Sequence, residues 1–114
     1  MVRIYHNSRC SKSRATLVLL EEHGGEVEVI NYLDNPPSAI ELAALLKQLG
    51  ISARKLLRTG EAEYASLGLD DPALGDAALI AAMVAHPKLI ERPIVVANGK
   101  AALGRPPEAV LAIL

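Results

Sequence analysis

Apolar positions at Val2 and Ile4 alternate with Arg3 and lead into Tyr5, and this period of two predicts a strand over residues 2–6. An apolar-periodic stretch then predicts a helix over 12–23, with Gly24-Gly25 stopping it. Val27, Val29 and Ile30, interleaved with Glu26, Glu28 and Asn31, form a second strand. Strand, helix and strand in such a short span are a βαβ unit, so the two strands should be parallel with a right-handed crossover.

Asp34-Asn35-Pro36-Pro37 breaks the pattern, and the period changes to that of helices. Ser38 and Glu41 have capping-box spacing, followed by Leu42, Leu45, Leu46 and Leu49 and a stop at Gly50. Ser52 is expected to cap a short helix to about Leu57, and Glu61 to Leu67 to form another turn or short helix. Asp76 should cap a helix carrying Leu79, Ile80, Met83 and Val84 that ends before Pro87. Residues 38–86 therefore read as a helical insertion between two halves of a small sheet. Strand patterning resumes at Ile94-Val95-Val96, and Asn98-Gly99 signals a two-residue hairpin returning through Ala101 to Leu103. Pro106-Pro107 opens a final helix expected to turn Val110, Leu111 and Leu114 to the core. The order predicts a single α/β domain over residues 1–114. Its four-stranded mixed sheet, flanking helices and helical insertion between the second and third strands make the thioredoxin-like arrangement.

Composition narrows the function. Half of the residues are hydrophobic (51%), enough for a core, and a net charge of −1 offers no general attraction to nucleic acid or membrane. Phe and Trp are absent and Tyr occurs three times, so platforms for stacking bases are lacking. The longest apolar run, Ala77 to Ala85, is too short to span a bilayer. A single cysteine, with no basic-then-apolar leader pattern, points to a reducing cytoplasm.

That cysteine, Cys10, falls at the start of the first helix among polar and basic neighbours: Arg9, Lys12, Arg14 and, one strand end away, His6. Helix N-termini and nearby cations lower a thiol pKa from about 8.5 to between roughly 3.5 and 7.5. His6 is either a donor or ion-pair partner for the thiolate or a satisfied strand-end histidine. Ser13 either bonds the sulfur or caps the helix. His23 and His86 read as ordinary residues at helix C-termini, and one Cys with three scattered His gives no metal-ligand set. Arg58, Arg92 and Arg105 each sit at the end of an element. Singly, such arginines are usually solvated; together beside a thiolate they would form a pocket for a tetrahedral oxyanion. Pro93 stands at the start of the third strand, where thioredoxin-like folds commonly carry a cis proline.

Tyr5-His6-Asn7-x-x-Cys10-x-x-Ser13-Arg14, Tyr32-Leu33-x-Asn35-Pro36-Pro37, Leu57-Arg58, His86-Pro87, Arg92-Pro93-Ile94-Val95-Val96 and Gly104-Arg105-Pro106 resemble the glutaredoxin-coupled arsenate reductase (ArsC) family over nearly the whole chain. The resemblance implies Cys10 as the nucleophile toward arsenate, and Arg58, Arg92 and Arg105 as oxyanion-binding residues. It also implies His6 as the residue that helps keep the cysteine ionised, with glutathione as co-substrate and glutaredoxin as partner; Ser13, from its spacing to Cys10, is expected beside His6 as a support of the thiolate. Ser8-Arg9-Cys10-Ser11-Lys12 departs from the Pro-Ala-Cys-Gly-Thr of plasmid-type enzymes, and the chain ends soon after its final helix. Both features resemble the chromosomal branch. Two other readings compete: a monothiol, glutaredoxin-like reductase, for which Cys10-Ser11-Lys12-Ser13 has the C-x-x-S form, and a non-catalytic regulator that binds RNA polymerase.

Overall fold

The computed structural model describes residues 2–114, and its contacts divide the chain into two compact units. One combines the residues up to Asn35 with Arg92–Leu114; the other is Pro36–Glu91.

In the first unit the alternating segments pair as their patterns require. β1 (Val2–His6), α1 (Ser11–His23) and β2 (Val27–Asn31) form the βαβ unit, with Ile4 opposite Val29 in parallel register. β3 (Ile94–Ala97) runs antiparallel to the other side of β1, placing Val95 opposite Ile4. β4 (Lys100–Leu103) pairs antiparallel with β3, completing a mixed sheet in the order β2-β1-β3-β4. Asn98 and Gly99 have φ of 55° and 74°, the left-handed pair that a tight hairpin turn demands. The Asn98 side chain also donates to the carbonyl of Ile113 at 2.9 Å.

The core of this unit gathers Ile4, Leu20, Val95 and Val110, with Val2, Leu17, Val27, Ala102, Ile113 and Leu114 packed around them. The buried stripe of α1 is Ser13, Thr16 and Leu20, so its first two positions are polar. The last segment, Pro107–Ile113, is a 3₁₀ helix and not the expected α-helix, and Pro106 precedes it. Three residues per turn align Val110 with Ile113 and swing Leu111 about a third of a turn outward. Leu111 is accordingly 47% exposed, against expectation, while Val110 is fully buried and Leu114 still reaches the core.

The second unit is helical: α2 (Ala39–Leu49), α3 (Ala53–Leu56), α4 (Ala62–Ser66) and α5 (Asp76–Ala85), followed by a 3₁₀ turn over Pro87–Leu89. The Ser38–Glu41 capping box forms in both directions, and Gly50 closes α2 in the left-handed conformation. Leu42, Leu45 and Leu46 of α2, Ala53 and Leu56 of α3, and Leu79 and Met83 of α5 are buried. The Arg54 guanidinium donates to the carbonyls of Leu69 and Asp71, tying down the segment between α4 and α5. Ser52 holds the expected N-cap position of α3, though without a side-chain bond, whereas Gly75, not Asp76, holds the cap position of α5. Asp76 lies in the first turn, where its carboxylate favours the helix dipole without closing a bond. No helix among the described residues is long and apolar enough to cross a membrane.

The 3₁₀ geometry makes a direct prediction. Val110→Ala should lower unfolding free energy by about 2 kcal/mol, and Leu111→Ala by no more than about 0.5 kcal/mol. Urea titration of both variants measures the contrast; equal losses would restore an α-helical arrangement of this segment.

Candidate active site

The turn from β1 into α1 is bonded at nearly every residue. The Cys10 N–H donates to the Asn7 carbonyl at 3.0 Å, and the Arg9 N–H donates to the Asn7 side-chain oxygen at 3.0 Å. The Arg14 guanidinium reaches back to the Ser8 carbonyl at 2.9 Å. Cys10 is thereby held in extended backbone conformation as the N-cap of α1, where its carbonyl accepts the Arg14 N–H. No capping side chain engages the first N–H groups of α1, so they are open to the sulfur.

Two opposing effects set the state of the Cys10 thiol. Burial, which leaves the residue 8% exposed, is the largest and pushes the pKa up. The Ser13 N–H, the Arg92 guanidinium by hydrogen bond and charge, and the Lys12 N–H all pull it down. The sum lies below the ordinary thiol value, which favours thiolate.

Arg92 and Arg105 meet at this sulfur because of hairpin register. A two-residue turn aligns Ile94 with Leu103, and two further steps outward set Arg92 against Arg105. The Arg105 Nε donates to the Arg92 carbonyl at 2.8 Å, and its Nη2 lies 3.7 Å from the Cys10 sulfur. That separation is long even for an N–H to sulfur contact, so Arg92 supplies the guanidinium effect on the thiol pKa. Both arginines precede cis prolines, Pro93 and Pro106.

Of its two sequence readings, His6 follows the second: it is a buried, hydrogen-bonded histidine at the end of β1. Its Nδ1 bonds Ser13 Oγ at 2.7 Å, both side chains are buried, and that oxygen also accepts the Asn7 N–H at 3.0 Å. Burial, followed by the charge of Arg14, lowers the His6 pKa, which favours the neutral imidazole over an ion-pair partner for the thiolate. Ser13 does not cap α1 through its hydroxyl. Its side chain locks His6 to the turn, and its backbone N–H serves the sulfur.

Arg58 belongs to the helical unit. Its N–H donates to the Leu89 carbonyl at 2.8 Å, and its Nη1 pairs with Glu91 at 2.6 Å, both side chains about three-quarters buried. The Glu91 partner was not anticipated, because a pairing across 33 residues leaves no local pattern. Thr16 and Gly104 were also assigned no role. Thr16 is fully buried and donates to the Lys12 carbonyl at 2.7 Å. Gly104 packs so tightly that a Cβ there would strike Thr16 Oγ1 and lie 2.6 Å from Pro93 Cγ. Among the described residues no group of three His, Cys, Asp or Glu is placed to hold a metal ion.

A family model described as "ArsC family" matches residues 5–113. The chain belongs to the ArsC family. A protein of Escherichia coli K12, "Uncharacterized protein YfgD", is 60% identical over 99% of this chain and 96% of its own length. An arsenate reductase of Neisseria meningitidis is 54% identical over 99% of this chain and 97% of its own. The solved structure of an arsenate reductase from Vibrio cholerae superposes with a TM-score of 0.96 at 57% identity, covering 99% of this chain and 97% of that one. These full-length matches agree with the thioredoxin-like sheet order found above.

Two expectations follow for this ArsC-family site. The pH midpoint for alkylation of Cys10 by iodoacetamide should fall below that of a free thiol, and Arg92→Ala should move it upward; a midpoint at or above the ordinary value would contradict the balance of effects. Gly104→Ala should destabilise the protein by about 1–3 kcal/mol, because buried, hydrogen-bonded Thr16 cannot yield. A melting curve matching the unsubstituted protein would show that the contact relaxes freely.

Proposed function

We propose that this chain is an arsenate reductase in which Cys10 is the nucleophile and Arg92 and Arg105 bind the oxyanion. One observation carries the reading: a thiol biased toward thiolate by a helix N-terminus lies against two guanidinium groups that hairpin register brings to it. Guanidinium groups stay charged at cellular pH and match the oxygens of a tetrahedral anion. They also oppose the charge repulsion that a thiolate would meet in approaching arsenate. Relatives named arsenate reductase at about half identity over the full chain support the same substrate.

The Cys10 thiolate attacks arsenic and an arsenate oxygen leaves as water, forming a sulfur–arsenic(V) bond. Two electrons must then come from outside, because the chain has no second thiol. Glutathione condenses on the arsenic with loss of water, and a glutaredoxin thiol attacks the glutathione sulfur. The mixed disulfide departs, and the electron pair of the broken arsenic–sulfur bond reduces arsenic(V) to arsenic(III). Hydrolysis of the remaining bond releases arsenite and restores Cys10. Arg58 enters this reading from the family resemblance as a third oxyanion-binding residue and His6 as a support of the thiolate, and Ser13, bonded to His6, helps hold the Cys10 turn. The single-domain organisation over residues 1–114 and a cytoplasmic setting, where both thiol partners are reduced, belong to the same reading.

Cys10→Ser should abolish arsenate turnover in an assay with glutathione and glutaredoxin. Arg92→Ala and Arg105→Ala should each weaken arsenate affinity about tenfold or more, since charge-assisted contacts contribute roughly 1.5–3 kcal/mol. Turnover that survives loss of the thiol would refute the function; unchanged affinity in both arginine variants would refute the oxyanion site.

A further inference from the structure

The turn that carries Cys10 also walls a cavity. His6, Asn7, Ser8 and Arg9 on one side and Asn31, Leu33 and Asp34 on the other enclose about 320 Å³ at the ends of β1 and β2. This is the small end of the range for small-molecule sites, about 300–1,000 Å³. Arg9 immediately precedes the nucleophile, and the Cys10 N–H bond to Asn7 folds that wall back beside it.

The charges of the cavity are its informative feature. Arg9 supplies a guanidinium and Asp34 a carboxylate, both exposed, yet neither side chain has a hydrogen-bond or ion-pair partner among the described residues. Their backbones are anchored: Arg9 by the Asn7 side chain, and Asp34 and Asn35 by the Asn31 carbonyl. Leu33, 39% exposed, adds an apolar spot beside Asp34. Opposite charges held apart on fixed loops suit a ligand that itself carries both signs on a short frame. An inorganic oxyanion has no group for Asp34.

We propose that this cavity binds the small zwitterionic thiol that completes the reaction at Cys10, its carboxylate on Arg9, its ammonium on Asp34 and its apolar chain on Leu33. The assignment of the ligand as a thiol rests on the arsenate-reductase reading; the preference for a zwitterion rests on the cavity alone. Arg9, a departure from the alanine of plasmid-type sequences, thereby acquires a role separate from the oxyanion arginines.

S-methylglutathione, which has both charges and no free thiol, reads binding without chemistry. Titrated into ¹⁵N-labelled protein, it should give saturable amide shifts centred on residues 6–9 and 31–34. Arg9→Met and Asp34→Asn should each weaken that binding about three- to tenfold; both side chains are exposed, and matched amide spectra of the free variants establish that they fold. Shifts centred elsewhere, no saturation, or unchanged affinity in both variants would overturn the proposal. A specific titration in a protein that never turns over arsenate would uphold the cavity and sink the enzyme reading. Arsenate turnover without binding here would do the reverse.

Discussion

The site depends on one contest, between burial of the Cys10 sulfur and the N–H groups that α1 aims at it. Burial alone would leave an inert thiol, as in most lone cysteines. Besides the Arg92 guanidinium, the opposing donors are backbone groups of Lys12 and Ser13, whose force depends on where the helix begins and not on which side chains those residues carry. A shift of the helix start by one residue would withdraw them. The bonds from Asn7, Ser8 and Ser13 that wire the preceding turn therefore act on the chemistry although none is made by the sulfur.

Much of this arrangement could be read from residue order. Alternation at Val2 and Ile4, the Ser38–Glu41 spacing and the Asn98-Gly99 turn each have a local physical cause, and each formed. The meeting of Arg92 and Arg105 is also legible in hindsight, because a two-residue turn dictates which positions face each other beyond the strands. The rest depended on longer-range competition. Whether Pro107–Ile113 coils with three or 3.6 residues per turn is decided by packing against α1 and β4, not by its composition. The cap of α5 moved to Gly75 because a carboxylate one residue later still satisfies the dipole.

The His6–Ser13 pair was the least accessible part. Hydrophobic patterning looks for apolar stripes, and the buried face of α1 begins with Ser13 and Thr16. Such a face is costly unless every polar group is bonded, and here both hydroxyls are: Ser13 to His6 and Asn7, Thr16 to Lys12. The same Thr16 fills the space that excludes a side chain at Gly104, so packing and polarity on this face constrain each other.

The central strand has a temporal asymmetry built into its pairing. β1 finds β2 within the first third of the chain, but its other neighbour lies roughly ninety residues away in sequence. On the ribosome, the parallel half of the sheet therefore emerges early with one flank of β1 bare. That flank waits through synthesis of the whole helical unit before β3 arrives, and just ahead of β3 comes Arg92, whose guanidinium joins the N–H groups of α1 in drawing the buried thiol toward thiolate.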